Sequence, residues 1–177
     1  MTDSRPMVDA TSAPATEPVG ADGPRPELAF VHELTLRVDL APPQIIGAGP
    51  LGVRVVGGVT TGTVRGSRVN GTISGPGADW MLIGPDGFGR VDVRIQIETD
   101  DGAVIYVRYE GLIELNEASS TALMDPPAAT SWDDQYFRTA PRFETGDERY
   151  AWLNRTLFVA RGRVIAGGLE YEVFRVE

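Results

Sequence analysis

"VDVRIQIETDDGAVIYVRYEGLIEL", residues 91–115, alternates apolar and polar side chains on both sides of a turn. Val91, Val93, Ile95 and Ile97 share one face of the first arm, and Asp92, Arg94, Gln96 and Glu98 share the other. In the second arm Ile105, Val107, Tyr109 and Ile113 oppose Tyr106, Arg108 and Glu110. A period of two is the period of a half-buried strand. A two-residue Asp-Gly loop would set apolar faces against polar ones. A three-residue loop, Asp100-Asp101-Gly102, with Gly102 in a left-handed bulge, instead pairs Ile97 with Ile105 and Val93 with Tyr109. On the polar face Asp92 then stands opposite Glu110 and Arg94 opposite Arg108, so unlike charges meet on the diagonals. Such a face is either the solvated outside of a one-sided sheet or the lining of a polar cavity.

Working outward, the same period recurs. "LAFVHELTLRVDL", residues 28–40, puts Leu28, Phe30, His32, Leu34, Leu36, Val38 and Leu40 on one face. "APPQIIGAGPLG", 41–52, reads as a loop. Residues 53–73 read as strands interrupted by glycines, which mark bends or bulges. Residues 80–98 form a hairpin around Pro85-Asp86-Gly87, and "RTLFVARGRVI" with "LEYEVFRV" forms a closing hairpin across Ala166-Gly167-Gly168. Thr145 followed by Glu148 is a capping-box pattern, and predicts one short helix of two turns in "TGDERYAWLN". Residues 116–144 read as a long loop. The expected fold is all-β, an antiparallel closed or nearly closed β-barrel with one short helix, because tight coiling needs glycine kinks inside strands. Residues 1–26 hold five prolines and no aromatic residue. They are expected to be a disordered Pro/Ala-rich tail before a single barrel domain over 28–177.

Composition removes many chemistries. The 177 residues include no cysteine, so thiol nucleophiles, disulfides, thiolate zinc and iron–sulfur clusters are excluded. All 16 basic residues are arginine, which excludes a Schiff-base or phosphate-loop lysine. His32 is the single histidine, too few for a two-histidine metal site within one chain. No metal and no cofactor is expected. A formal net charge of −9 argues against nucleic acid and anionic membranes as partners. The polar N-terminus has no signal-peptide core, and a cytoplasmic location is expected.

"GPGADWMLI", residues 75–83, offers the sharpest candidate. A carboxyl at Asp79 held against the Trp80 indole would lose hydration and rise into a general acid–base range, unless it merely caps the preceding turn. Trp80 and Trp152 either line a pocket or plug the barrel. His32 is either a satisfied core residue or a second acid–base group. Arg54 and Arg94 are the anion anchors to consider, with Tyr109 on the inner face. Asn154 either ends the short helix or faces a ligand. Asp92, Asp100 and Asp101 could gather a calcium ion, but a plain turn explains the last two.

"GPLGVRVVGGVTTGTVRGSRVNGTISGPGADW", "DGFGRVDVRIQIETDDGAVIYVRYEG" and "YFRTAPRFETGDERYAWLN", with the closing "VFRV" strand, resemble the domain of unknown function 3237, also called uncharacterised protein family 0311. The motif positions are Gly57-Gly58, Gly77 to Trp80, Asp92, Arg94, Asp101, Gly102, Tyr109, Gly111, Tyr150 and Trp152 to Asn154. The resemblance implies a small lipocalin-like (calycin-like) barrel holding small molecules, with bacterial members in small-molecule metabolism. It implies no common activity. The expectation is a small-molecule ligand, partly aromatic or carbonyl-containing, acted on without a cofactor by an isomerase, cyclase, lyase or lactone hydrolase. The alternatives are a non-catalytic carrier and a structural module that self-associates, for instance as a homodimer.

Overall fold

The computed structural model describes residues 27–125 and 127–177. The proline-rich tail expected over 1–26 lies outside the described residues. The strands are β1 (Phe30–Leu40), β2 (Gln44–Gly49), β3 (Gly52–Gly66), β4 (Gly71–Asp79), β5 (Leu82–Ile83), β6 (Phe88–Thr99), β7 (Val104–Glu114), β8 (Phe137–Glu144), β9 (Phe158–Ile165) and β10 (Gly168–Val176). One α-helix, α1 (Glu117–Met124), follows β7. The order β1-β10-β9-β8-β7-β6-β4-β3 returns to β1, so eight antiparallel strands close a barrel. β5 continues β4 in the same gap between β3 and β6, and β2 pairs only with the first part of β3. Among the described residues no helix is long and apolar enough to cross a membrane.

The central hairpin adopts the register its alternation demands. Ile97 pairs with Ile105 and Val93 with Tyr109, across a loop whose Gly102 has φ +86°. Val93, Ile95, Ile97, Ile105, Val107 and Tyr109 are buried inside, and the charged face is outside. Its ion pairs form along each strand rather than on the diagonals: Arg94 binds Asp92 at 3.0 Å and Arg108 binds Glu110. Two residues apart on one strand, these side chains already share a face, and no cross-strand reach is needed. The Asp100-Asp101 turn is also explained locally. Asp101 accepts from the Thr99 hydroxyl at 2.6 Å and the Tyr150 hydroxyl at 3.0 Å, and pairs with Arg149 at 2.8 Å.

Four expectations from sequence need correction. Residues 41–52 contain β2, because Gln44–Gly49 finds an edge on β3. The span 116–144, expected to be a loop, contains strand β8, paired with β7 and β9, and also α1, capped by Asn116, whose side chain accepts from the Ser119 amide at 3.1 Å. The helix expected in 145–154 is instead two 3-10 turns, Glu148–Tyr150 and Leu153–Arg155. Thr145 is not its cap: Asp147 is, while the Asn154 carboxamide clasps both backbone groups of Thr145 at 2.9 Å. His32, finally, is not on the inner face. β1 changes register against β10 between His32 and Leu34, so Glu33 turns inward and His32 outward, edge-on to Phe174 at 5.5 Å. Glu33 is 3% exposed and takes two hydrogen bonds from Arg68, at 2.9 and 2.6 Å.

Closure is made possible by glycine in β3. A Cβ at Gly62 would stand 2.2 Å from the Arg37 carbonyl oxygen, and one at Gly66 would stand 2.4 Å from that of Glu33. The β1–β3 seam therefore has no room for side chains there. Gly57, on the same strand, would meet nothing within 4 Å. We expect Gly62→Val to cost about 3 kcal/mol or more through backbone displacement, while Gly57→Val stays within about 1 kcal/mol of the parent. Urea denaturation of the two variants measures this, and equal midpoints would contradict the seam.

Candidate functional site

One end of the barrel is filled. Tyr150, Leu153 and Phe158 are buried there, and Trp152 packs on Phe158 beneath the Arg68 guanidinium, which lies 3.5 Å from the indole centroid. The other end holds a cavity of about 460 Å³, within the range of small-molecule sites. Its mouth is framed by α1, by the Leu40–Pro43 segment with Ile45, and by the β9–β10 turn at Gly167 and Gly168. Aliphatic side chains of β3 to β7 form the wall, with Phe137 of β8, and Asp79 stands among them.

The placement of Asp79 follows from its strand. Three residues of β4, Gly75 to Gly77, stand opposite Ile95 alone, since the register passes from Ser74–Gln96 to Ala78–Arg94. Gly75 takes φ +69° in this bulge, and a Cβ at Gly77 would lie 2.8 Å from Ile95 Cγ2. Beyond it, Asp79 faces Gly57 on one side and Val93 on the other. Trp80 N–H still donates to the Asp92 carbonyl at 3.0 Å. The return bond is replaced: the Asp92 N–H donates to Asp79 Oδ1 at 2.9 Å, and the Trp80 carbonyl accepts from Arg54 instead. A side-chain carboxylate thus stands in for a main-chain carbonyl, and β4 and β5 separate at Trp80-Met81.

Electrostatics make this carboxyl unusual. Burial pushes Asp79 up to about 6, and the Asp92 charge adds to the rise. The Asp92 N–H and the Arg54 guanidinium restrain it from rising further. Tyr109 and Tyr171 lie in the core behind the site, their rings 5.4 Å apart and Tyr171 also 5.2 Å from Phe137. Burial raises both phenols, and the Asp79 charge adds to each. Tyr171 is 1% exposed, and its hydroxyl has no hydrogen-bond partner among the described residues.

The residues singled out in the sequence therefore divide. Asp79 lines the cavity, Arg54 braces it through the Trp80 carbonyl, and Tyr109 is packed in the core behind it. Trp80 does not line the barrel: it is 38% exposed on the outside, with Arg94 5.5 Å above its ring. Because side chains alternate, an inward Asp79 requires an outward Trp80. Arg94 is likewise outside, paired with Asp92. Trp152 and Asn154 sit at the filled end and His32 on the outer surface, so none of the three meets Asp79. Phe137 and Ser120 of α1 line the cavity without standing out in the sequence, and Tyr171 lies in the core behind it. The alternation of "LEYEVFRV" places Tyr171 inward with Leu169 and Val173, whereas nothing local marks Ser120, which depends on where α1 docks. Among the described residues no group of three or more histidine or acidic side chains gathers in metal-binding geometry.

Residues 26–176 match the model of the family described as protein of unknown function, DUF3237. A UPF0311 protein of Rhodopseudomonas palustris is 33% identical over 160 residues, spanning 86% of this chain and 98% of that one. A crystal structure of a conserved protein of unknown function from the same organism aligns with TM-score 0.77 at 30% identity, over 86% of this chain and all of that one (100%). A β-barrel-like protein from Acinetobacter baumannii aligns with TM-score 0.73 at 28% identity, covering 87% and 99% of the two chains. An enzyme from Penicillium herquei shares the fold at 22% identity, with TM-score 0.62 over 90% of this chain and 100% of that one. A closed barrel of this topology, matched by model and relatives along nearly its whole described length, belongs to the uncharacterised DUF3237 family.

Proposed function

We propose that this barrel binds a small, partly aromatic or carbonyl-containing metabolite in its cavity and that Asp79 acts on it as a proton-transferring carboxylate, without a cofactor. The observation that carries this is a carboxyl lining a cavity whose other side chains, Ser120 apart, are apolar, where burial pushes it up to about 6. A group so placed is mostly ionised at neutral pH yet close enough to its pKa to return a proton, which suits general base chemistry followed by reprotonation. Isomerisation, cyclisation, elimination and lactone hydrolysis each need such a group. A protein of the same fold from Penicillium herquei is an enzyme, so the architecture accommodates catalysis. The rival is a carrier using the same cavity.

Two features support a functional cost rather than a structural role. The Asp92 N–H needs only one acceptor, which a neutral asparagine would also supply. Keeping the charge costs stability: a carboxyl raised from its ordinary 3.8 to about 6 makes the fold less stable by about 3 kcal/mol once it is ionised in both states. The sign is fixed by linkage. The folded state binds the proton more tightly, so the penalty is absent below the unfolded value, grows as pH rises through the window from about 4 to 6, and is complete above it.

Asp79→Asn should therefore raise Tm by several degrees near pH 8 and leave it unchanged near pH 3. Differential scanning calorimetry at both pH values tests this, and a variant less stable at pH 8 would show that the charge supports the fold. On a substrate found by screening, the same variant should lose turnover on the order of a hundredfold or more while still binding. The wild-type kcat/KM should rise with pH through about 6. Full activity in Asp79→Asn would remove Asp79 from the chemistry, whereas saturable binding without turnover in the wild type would leave the carrier.

A further inference from the structure

Among the described residues the cavity beside Asp79 is lined by one carboxylate and by no cationic side chain. Asp79 and Ser120 are the polar side chains among the described residues that line it. The arginines of the strands flanking Asp79 are engaged elsewhere: Arg54 with the Trp80 carbonyl, Arg90 with Asp86 at 2.6 Å, and Arg94 with Asp92 at 3.0 Å. Asp79 Oδ1 is taken by the Asp92 N–H, while no donor among the described residues reaches Oδ2. An acceptor without a donor thus sits in an apolar chamber of about 460 Å³. Next to it, the bare strand at Gly57 leaves room for a ligand atom to approach, since a Cβ there would meet nothing within 4 Å.

We propose that the ligand of this cavity is an uncharged lipophilic compound that donates a hydrogen bond to Asp79, and that the carboxylate turns away anions of the same shape. The inference rests on the cavity being a ligand site, as argued above, and adds the charge class that the site selects. A neutral donor satisfies Oδ2 without bringing in a charge to be desolvated. An anion would surrender its hydration with no guanidinium among the described lining residues to replace it. It would also face a like charge; at about 6 Å and an effective dielectric near 20, that repulsion alone disfavours binding on the order of a hundredfold. Ser120, at the mouth on α1, can hydrogen-bond a second polar group but supplies no charge.

N-phenyl-1-naphthylamine and 1-anilinonaphthalene-8-sulfonate test this, because they share a skeleton and the first carries an N–H without the sulfonate. Fluorescence titration of the full chain near pH 8, where Asp79 is ionised, should show saturable binding of the neutral dye. The sulfonate should bind at least tenfold more weakly. Asp79→Asn should bring the two within threefold, and Gly57→Leu should weaken the neutral dye tenfold or more by filling its space. Ser120→Asp, a second route should Asp79→Asn not fold, should widen the preference for the neutral dye. Equal affinities in the wild type, or a preference that neither variant moves, would overturn charge selection and leave the cavity standing. Absence of any neutral-dye binding sensitive to Gly57→Leu would overturn the ligand site itself.

Discussion

Closing eight strands into a barrel requires β1 and β3 to meet, and at two positions of that seam, Gly62 and Gly66, β3 carries no side chain. At Gly62 and Gly66 the β1 carbonyls occupy the space a Cβ would need. Everything else follows from this seam. Once the sheet has no gap between these strands, the period-two alternation of each strand becomes an inside and an outside. Leu34, Leu36 and Val38 of β1 join Val64 of β3 in one core with the central hairpin. A sheet left open there would expose the same apolar rows along two unpaired edges.

A closed interior then divides by end. At the filled end, a buried carboxylate is tolerated because it is paired: Glu33 receives the Arg68 fork, with Arg175 at 3.4 Å, and Trp152 covers the guanidinium. Removing one member of such a cluster strands a charge, which is why the ion pair and the bulge that creates it belong together. At the cavity end, the Asp79 carboxylate has a main-chain amide for one oxygen and Arg54 nearby, but no ion pair. A destabilisation of about 3 kcal/mol is a large share of the ~5–15 kcal/mol by which domains are stable.

Much of this was legible in the sequence, for a physical reason. Where strands keep strict alternation, pairing register and burial are two statements of one pattern, and the hairpin of residues 91–115 could be solved from either. That Asp79 and Trp80 face opposite sides was legible too, from alternation alone, although Gly75-Pro76-Gly77, which reads as a turn, is a bulge inside β4. Which side was not legible. A bulge adds residues without changing the letters, so β1 changes face at His32-Glu33 with no signal in the alternation itself, and an apolar-looking row continues straight through it. The 145–154 segment failed for a different reason. Its capping pattern was genuine, but the Thr145 hydroxyl donates to the Val104 carbonyl at the start of the neighbouring strand β7 at 2.8 Å, a tertiary contact that outcompetes a local cap. Side chains such as Ser120 and Phe137 became site residues only through docking, which no local pattern encodes.

The contrast between the two ends argues for what the cavity end is for. Both carboxylates lie at or just beyond bulges in their strands, with arginines on neighbouring segments. At Glu33 the chain places two. At Asp79 it aims Arg54 at the Trp80 carbonyl, close enough to moderate the charge and not to neutralise it. An apolar residue at 79 would strand the Asp92 N–H, and an asparagine would satisfy it without charge, so hydrogen bonding alone selects neither aspartate nor its cost. What aspartate adds over asparagine is a proton that can come and go near neutrality, inside a chamber that no other ionisable side chain among the described residues lines. Structural economy accounts for Glu33; it does not account for the charge at Asp79, which is the feature the proposed ligand would use.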